Sequence, residues 1–515
     1  MTDPAVKPPE SSSTALTTAS TQQSQSKSET SILAGIAGLT DDETRILKNE
    51  NPITKKLIYS LAVIVLGSFQ FGYNIGVINA SGVYITAFIV ENHNETYDVE
   101  LISLFAAGAV IGALMSGLLA DHIGRRKTLH FNNILVGIVA FLMCMAKPLG
   151  CYQLFHVGRF VIGLNAGVSS SVVPMYFTEM SPVSLRGSVS SLPQLVVTIS
   201  ILISMILGLP FFFGSDHMWP FLFGIIVVPA IIQSVCLFGV PESPRYSMVL
   251  KNDVDRTLED LIKLRRSDRI GVIECKLLEI ERNQRDSYDV MNVITLVNHV
   301  EYRWPMFLAA FLMMAQQFCG INAAMFFSTE IYRSAGLSDE DSVYASLGVG
   351  IVNVLMTVVS VYLVDVPFFG RRLLMLIGKT GMAFSCLALV VSMYCANNGV
   401  AEGVTPYLSC AFLPIYVMFY ATGPGSIPFF YVSEIFPSSA RASASAVCLT
   451  TNWVCTIIVG VAFLPVVKQL DEFTFLIFMC SCIVAAIVIF IFLPETKGRT
   501  LDEIQLDMDK RRICG

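Results

Sequence analysis

The sequence predicts an all-α membrane protein, with twelve transmembrane helices in two pseudo-symmetric six-helix bundles. Hydrophobic residues make up 54% of the 515 and charged residues 14%, against about 45–50% and about 25% in soluble domains. Twelve apolar stretches are each long enough to cross about 30 Å of hydrocarbon, which takes roughly 20 residues of helix. Loop motifs recur, in order, six stretches later. The mean hydropathy of +0.63 agrees.

Residues 1–50 read as a disordered tail, because the first 30 hold 13 Ser or Thr and no apolar core; a cleaved signal peptide is not expected there. Span 1 (57–80) follows Lys55 and Lys56. It contains LGSFQFGYNIGVINA (66–80), which carries Gln70, Tyr73, Asn74 and Asn79 but no charge. Spans 2 (100–120), 3 (128–147), 4 (152–176), 5 (188–210) and 6 (218–240) complete a first bundle over 51–240. Glycines four apart, at 72 and 76, 108 and 112, and 163 and 167, predict close helix packing. Residues 241–302 form a charged loop in which VDRTLEDLIKLRR (254–266) reads as amphipathic helix or as plain solvated linker. Spans 7 (303–332), 8 (342–364), 9 (373–394), 10 (404–431), 11 (442–467) and 12 (473–493) make the second bundle, 303–495, before a tail at 496–515. Within span 10, GPGSIP (423–428) predicts a broken helix, since Pro lacks an N–H and Gly lacks a stiffening side chain.

Lys and Arg in the loops set the orientation. Arg125, Arg126 and Lys127, Arg186, the 11 basic residues of 241–303, Arg371 and Arg372, Arg441, and Lys497 and Arg499 all fall on one side. The opposite loops carry few, Lys147 and Lys468 among them. Both termini are therefore expected in the cytoplasm. The sequon Asn94-Glu95-Thr96 then lies outside, and Asn94 is a candidate glycosylation site.

GLLADHIGRRK (117–127) matches VDVPFFGRR (364–372), EMSPVSLRG (179–187) matches EIFPSSARA (434–442), and VPESPR (240–245) matches LPETKGR (493–499). The pairs Gly124/Gly370, Glu179/Glu434 and Glu242/Glu495 are offset by 246, 255 and 253 residues. Two homologous bundles allow a site at their interface to face each side of the membrane in turn.

Other classes are excluded. A net charge of -6 gives no reason to expect a nucleic-acid partner. The 13 Cys include no CxxC pair and read as small packing residues, so no metal and no cofactor is expected. No catalytic constellation is present, and an enzyme is not predicted. Gly378-Lys379-Thr380 is not a phosphate-binding loop, because Leu373 stands where its first glycine belongs and the triplet lies inside span 9.

The chain resembles the sugar porters of the major facilitator superfamily, above all the animal facilitative glucose transporters. The resemblance rests on QFGYNIGVINA (70–80), DHIGRRK (121–127), GRFVIGLNAG (158–167), PESPR (241–245), QQFCGINA (316–323), STEIY (328–332), GPGSIPFF (423–430), TNW (451–453) and PETKGR (494–499). It covers roughly residues 57 to 503. It implies the major facilitator fold, a neutral hexose as substrate, membrane lipid as surroundings, and the cell membrane as location.

A hexose leaving water needs donors and acceptors for every hydroxyl, and amide side chains supply both without a charge. The resemblance implies that Gln194, Gln316, Gln317, Asn322, Asn353 and Asn452 contact the sugar or line its cavity, with Phe429 where the family has Trp. An interhelical hydrogen bond is the alternative role for Asn452 and Asn79. Departures from the family, at Met313, Met314, Ala315, Phe326, Phe327 and Ala421, leave glucose, fructose and galactose open. A cytoplasmic gate is expected from Arg125, Arg126, Glu179, Arg186, Glu242 and Arg245, with Arg371, Arg372, Glu434, Arg441, Glu495 and Arg499 as its second-half counterpart. Its pairs would bridge neighbouring helices or the two halves. Positive-inside anchoring explains the Arg residues but not the repeated Glu; the second copy is distorted around Asp365.

Proton-coupled members of the family place Asp where this chain has Asn74. An amide does not titrate in the physiological range, so a uniporter with no coupling ion is expected. His156, Arg159 and Glu330 keep a proton symporter as the alternative, and a non-transporting sugar sensor is a third. The neutral amides of span 1 are expected to suit a neutral polyol.

Overall fold

A computed structural model describes residues 42–43, 46–47, 53–93, 98–182, 189–287, 293–366, 368–398, 405–499 and 501–514. Each of the twelve apolar stretches holds helix. Among the described residues, ten helical runs are long and apolar enough to cross a membrane. The difference from twelve has two sources. Span 5 is Leu192–Leu207, only 16 residues; spans 11 and 12, Ser438–Leu470 and Thr474–Phe492, join through one 3-10 turn and count as a single run.

Several spans are interrupted at proline or glycine. Span 6 is Trp219–Gly224 followed by Val227–Leu237; Pro229 there has no N–H for the carbonyl four residues back. Span 7 is Val300–Phe318 and Ile321–Ser334, separated by Gly320 at φ 87°, a left-handed conformation that favours glycine. Span 10 breaks as expected at 423–426, between Thr405–Thr422 and Ile427–Ile435. Span 1 continues past its expected end, as Leu66–His93.

The glycine spacing works as predicted in spans 2 and 4. A Cβ on Gly108 would overlap the Phe160 carbonyl, and one on Gly163 the Phe105 carbonyl. The two helices therefore pack backbone to backbone. Elsewhere in the first half, Trp219 is fully buried between Phe88, Phe155 and Phe223. The halves meet chiefly where span 2 packs on span 11, span 5 on span 8, and span 1 on span 7.

The described residues of the 241–302 loop are largely helical and docked on the bundles, Val254–Leu264 on the first half and Val293–Asn298, through Leu296, on the second, so the plain-linker reading falls. Its helices include Val254–Leu264 and Asp268–Ser287. Buried Arg265 pairs with Glu274 at 2.7 Å and donates to the Met180 carbonyl at 3.1 Å. Thr54 donates to the Leu264 carbonyl at 2.9 Å. Within 1–50, Leu47 packs on Ile270 and Ile273. The last helix, Leu501–Cys514, buries Ile504 and Met508 in the second-half core.

Candidate functional site

A cavity of about 80 Å³ lies between the halves. All seven residues expected to bind substrate line it: Gln194, Gln316, Gln317, Asn322, Asn353, Phe429 and Asn452. Gln316 and Gln317 occupy the last turn before the span 7 break, and Asn322 the first turn after it. The break thus gathers three amides that a straight helix would spread around its circumference.

These amides hold one another. Gln316 Nε2 donates to the Pro424 and Gly425 carbonyls at 3.0 and 2.9 Å, which the span 10 break has freed. Gln316 Oε1 accepts from Asn452 Nδ2 at 2.8 Å, and Asn452 Oδ1 accepts from Gln317 Nε2 at 3.0 Å. Gln317 Oε1 accepts from Asn322 Nδ2 at 2.6 Å. Every link is neutral, so a hydroxyl-rich guest can exchange partners with the chain without any charge being stripped of water.

Apart from the amides, Thr198 and Thr456, the lining is apolar or aromatic. Trp453, beside Asn452, meets Phe71 and Phe105 of the first half edge-on, at 5.6 and 5.9 Å between centroids. Among the described lining residues there is no Asp, Glu, Lys, Arg or His. Sequence reasoning missed Thr198 and Thr456, which also line the cavity. Each lies four residues beyond an identified amide, Gln194 and Asn452, and so on the same helix face; that spacing was the available signal.

The amides of span 1 do not line this cavity, and the expectation that they suit the polyol is corrected. Gln70 is buried inside the first half, donating to Asn133 Oδ1 and Gln233 Oε1, both at 2.9 Å. Tyr73 donates to the Leu222 carbonyl at 2.7 Å and Asn74 to the Gln70 carbonyl at 2.8 Å. They glue helices. Asn79 does so across the halves: its Nδ2 donates to Ser328 at 2.7 Å, and Thr329 N–H donates to its Oδ1 at 3.4 Å. Arg159 is fully buried over the Phe105 ring, and donates to the Asn74 and Leu101 carbonyls at 3.4 Å. His156 lies against the Tyr152 carbonyl at 3.1 Å, and Glu330 is exposed beside Arg333.

At the opposite end, which carries the repeated motifs, the two halves are built alike. Glu242 accepts from the backbone N–H groups of Arg125 and Arg126 at 3.0 and 3.1 Å. Glu495 accepts from those of Arg371 and Arg372 at 2.8 and 3.1 Å. Each carboxylate thereby satisfies the free donors at the start of a helix and meets its positive pole. Gly124 and Gly370 leave room for it, since a Cβ on either would strike the carboxylate. The second pair of acids binds guanidinium: Arg125 pairs with Glu179 at 3.0 Å and Arg371 with Glu434 at 3.1 Å.

The described ion pairs at this end all join residues of one half; none of them bridges the two. Arg245 contacts Glu281 and Glu179 at 2.6 and 3.8 Å, and Arg499 contacts Asp507 of the last helix at 2.9 Å. Arg441 donates to the Phe436 carbonyl at 3.3 Å. Arg125 and Arg371 donate alike to the last carbonyls of the preceding span, Ala120 at 3.1 Å and Val364 at 3.2 Å; Arg125 also pairs with Asp121 at 3.1 Å, and in the second half Lys497 binds the Val364 and Val366 carbonyls at 2.7 and 2.6 Å. Arg186 and Asn94 lie outside the described residues.

Comparison with known proteins follows the same lines. The family described as "Sugar (and other) transporter" matches residues 61–508. "Facilitated glucose transporter protein 1" of Caenorhabditis elegans is 42% identical over 480 residues, covering 91% of this chain and 94% of the relative. "Solute carrier family 2, facilitated glucose transporter member 5" of Equus caballus is 34% identical over 471 residues, with 89% and 93% covered. Among solved structures, the proton:xylose symporter XylE of the major facilitator superfamily, bound to 6-bromo-6-deoxy-D-glucose, superposes with a TM-score of 0.75 at 22% identity, over 88% of this chain and 98% of that one.

Proposed function

The chain belongs to the sugar transporter family and has the fold of a solved major facilitator sugar transporter, and from that premise we propose that it is a facilitative hexose uniporter of the cell membrane working by alternating access. One observation carries the reading: seven positions picked from sequence converge on a single cavity between the halves, and its lining is uncharged. Glucose is the proposed substrate, in keeping with the names of its relatives. A net neutral hydrogen bond contributes only about 0.5–1.5 kcal/mol, so a few of them give the weak binding, about 4 kcal/mol at millimolar affinity, that a carrier needs in order to release its load.

The contacts of Asn79 with Ser328 and Thr329 join the halves toward the end away from the motifs. With both termini cytoplasmic, these contacts lie toward the outside and part when the carrier opens there. The Arg and Glu pairs bias this equilibrium from within each half, Glu179 and Glu434 being the acids free to change guanidinium partners as the halves rock.

The test is uptake of labelled glucose and fructose by purified protein in vesicles, each sugar competed by the other. Expected is downhill flux that ignores an imposed pH gradient, because the cavity holds no titratable carboxylate. Uphill accumulation driven by that gradient alone would establish the symporter instead, and sugar binding without flux would establish a sensor.

A further inference from the structure

Lys379 sits in the middle of span 9, within Arg371–Asn397, and is fully buried. Among the described residues no carboxylate pairs with it. Its Nζ donates to the Ala315 carbonyl at 2.8 Å. Ionisable groups inside a membrane are rare and ordinarily functional, yet the carrier chemistry above makes no use of this one.

Its place in the fold is the broken end of the first helix of span 7. That helix, Val300–Phe318, stops at Gly320 and leaves carbonyls without intrahelical partners. The structure supplies donors for them one by one. Lys379 serves Ala315; Cys319 Sγ lies 2.8 Å from the Gln316 carbonyl; the Gly320 N–H donates to Gln317 at 3.0 Å; the Tyr416 hydroxyl donates to Cys319 at 2.7 Å. Of these only Lys379 brings a formal cation, and it brings it to the negative pole of the helix, where a positive charge is stabilising. The neighbouring Gly378 lets span 9 come this close, since a Cβ there would overlap the Pro424 ring at the span 10 break.

The residues immediately following Ala315 are Gln316 and Gln317, the amides at the centre of the cavity network. We propose that Lys379 is a positioning residue for substrate: by holding the carbonyl end of the first half of span 7 beside the span 10 break, it sets how Gln316 and Gln317 are presented. Lys379 itself does not line the cavity and touches no sugar. The inference deepens the hexose-carrier reading and rests on it.

The test compares full-length Lys379→Met and Lys379→Arg with the parent protein. In vesicle uptake of labelled glucose, Lys379→Met should raise KM at least tenfold, about 1.4 kcal/mol of binding, while the maximal rate per inserted molecule stays within about twofold. Lys379→Arg, which keeps a charged donor, should recover most of the KM. A second readout needs no transport: hydrogen–deuterium exchange across residues 315–323 should quicken in Lys379→Met and not in Lys379→Arg. Unchanged KM and unchanged exchange in Lys379→Met would overturn the proposal. So would a fall in maximal rate at constant KM, or failure of both variants to insert, since each marks a role in the fold at large. A parent protein that carries no hexose sinks the sugar reading alone, because the exchange measurement still decides whether Lys379 holds the helix end.

Discussion

Gln317 illustrates how one neutral side chain is tied into the site. It donates to Asn452 and accepts from Asn322, so both of its polar atoms are engaged before any sugar arrives. Gln317→Leu removes a donor and an acceptor together and leaves buried groups on the neighbours unsatisfied, at about 1–3 kcal/mol each. Uptake should fall below detection while the amount of protein at the surface holds, as surface biotinylation beside labelled-hexose uptake would reveal. Undiminished uptake would remove Gln317 from the site. Asn74 makes the complementary point. It is buried next to Arg159 and bonded to its own helix, in a spot where a carboxylate would find a cation. The amide leaves that guanidinium with carbonyl and aromatic partners and offers no proton acceptor.

Among the helices, the breaks and the close contacts divide the labour. Spans 7 and 10 are interrupted at matching depth, and Gln316 joins the two interruptions through the Pro424 and Gly425 carbonyls. Spans 2 and 4 are uninterrupted and touch through glycine. Their contact depends on backbone shape alone. Gly163→Val should force the helices apart and cost about 1–3 kcal/mol, read as a lower melting temperature in detergent. Gly137→Val is the control: nothing lies within 4 Å of a Cβ at that position, and the melting temperature should stay put. Equal losses from both changes would mean that glycine content, and not the contact, governs stability.

The whole molecule is two copies of one plan, and the motif end exposes the plan's logic. In each half one Glu caps a helix and another pairs with the capped helix's first Arg. Because the described pairs stay inside their own half, Glu179→Gln and Glu434→Gln should act almost independently. Each should change the ratio of equilibrium exchange to net uptake by at least about tenfold, since both pairs are largely buried and removing one partner of a buried pair is costly, about 3–5 kcal/mol, and the double variant should show about the product of the two. A double variant far from that product would reveal coupling between halves in some other conformer. The carrier then switches by rocking two separately braced bundles, with Asn79 and its partners as the contact that must open on the far side.

The sequence by itself determined the membrane class, the helix order, the twofold repeat, the family and the seven cavity residues. Class, helix order and repeat follow from composition and local spacing; the family rests on motifs contiguous in the chain, and the seven cavity residues on what that resemblance implies. It did not tell that the span 1 amides face away from the cavity, and it put Gln70 and Asn74 with the sugar when Gln70 joins helices and Asn74 bonds its own. Only tertiary structure decided that, and it also decided that the Arg–Glu pairs close within each half, that Lys497 binds the carbonyls around the altered loop, and that Lys379 reaches the end of span 7. The reason is physical. Helical periodicity marks which residues share a face, but in lipid the packed face and the exposed face are equally apolar, so only the three-dimensional arrangement says which neighbour each face meets.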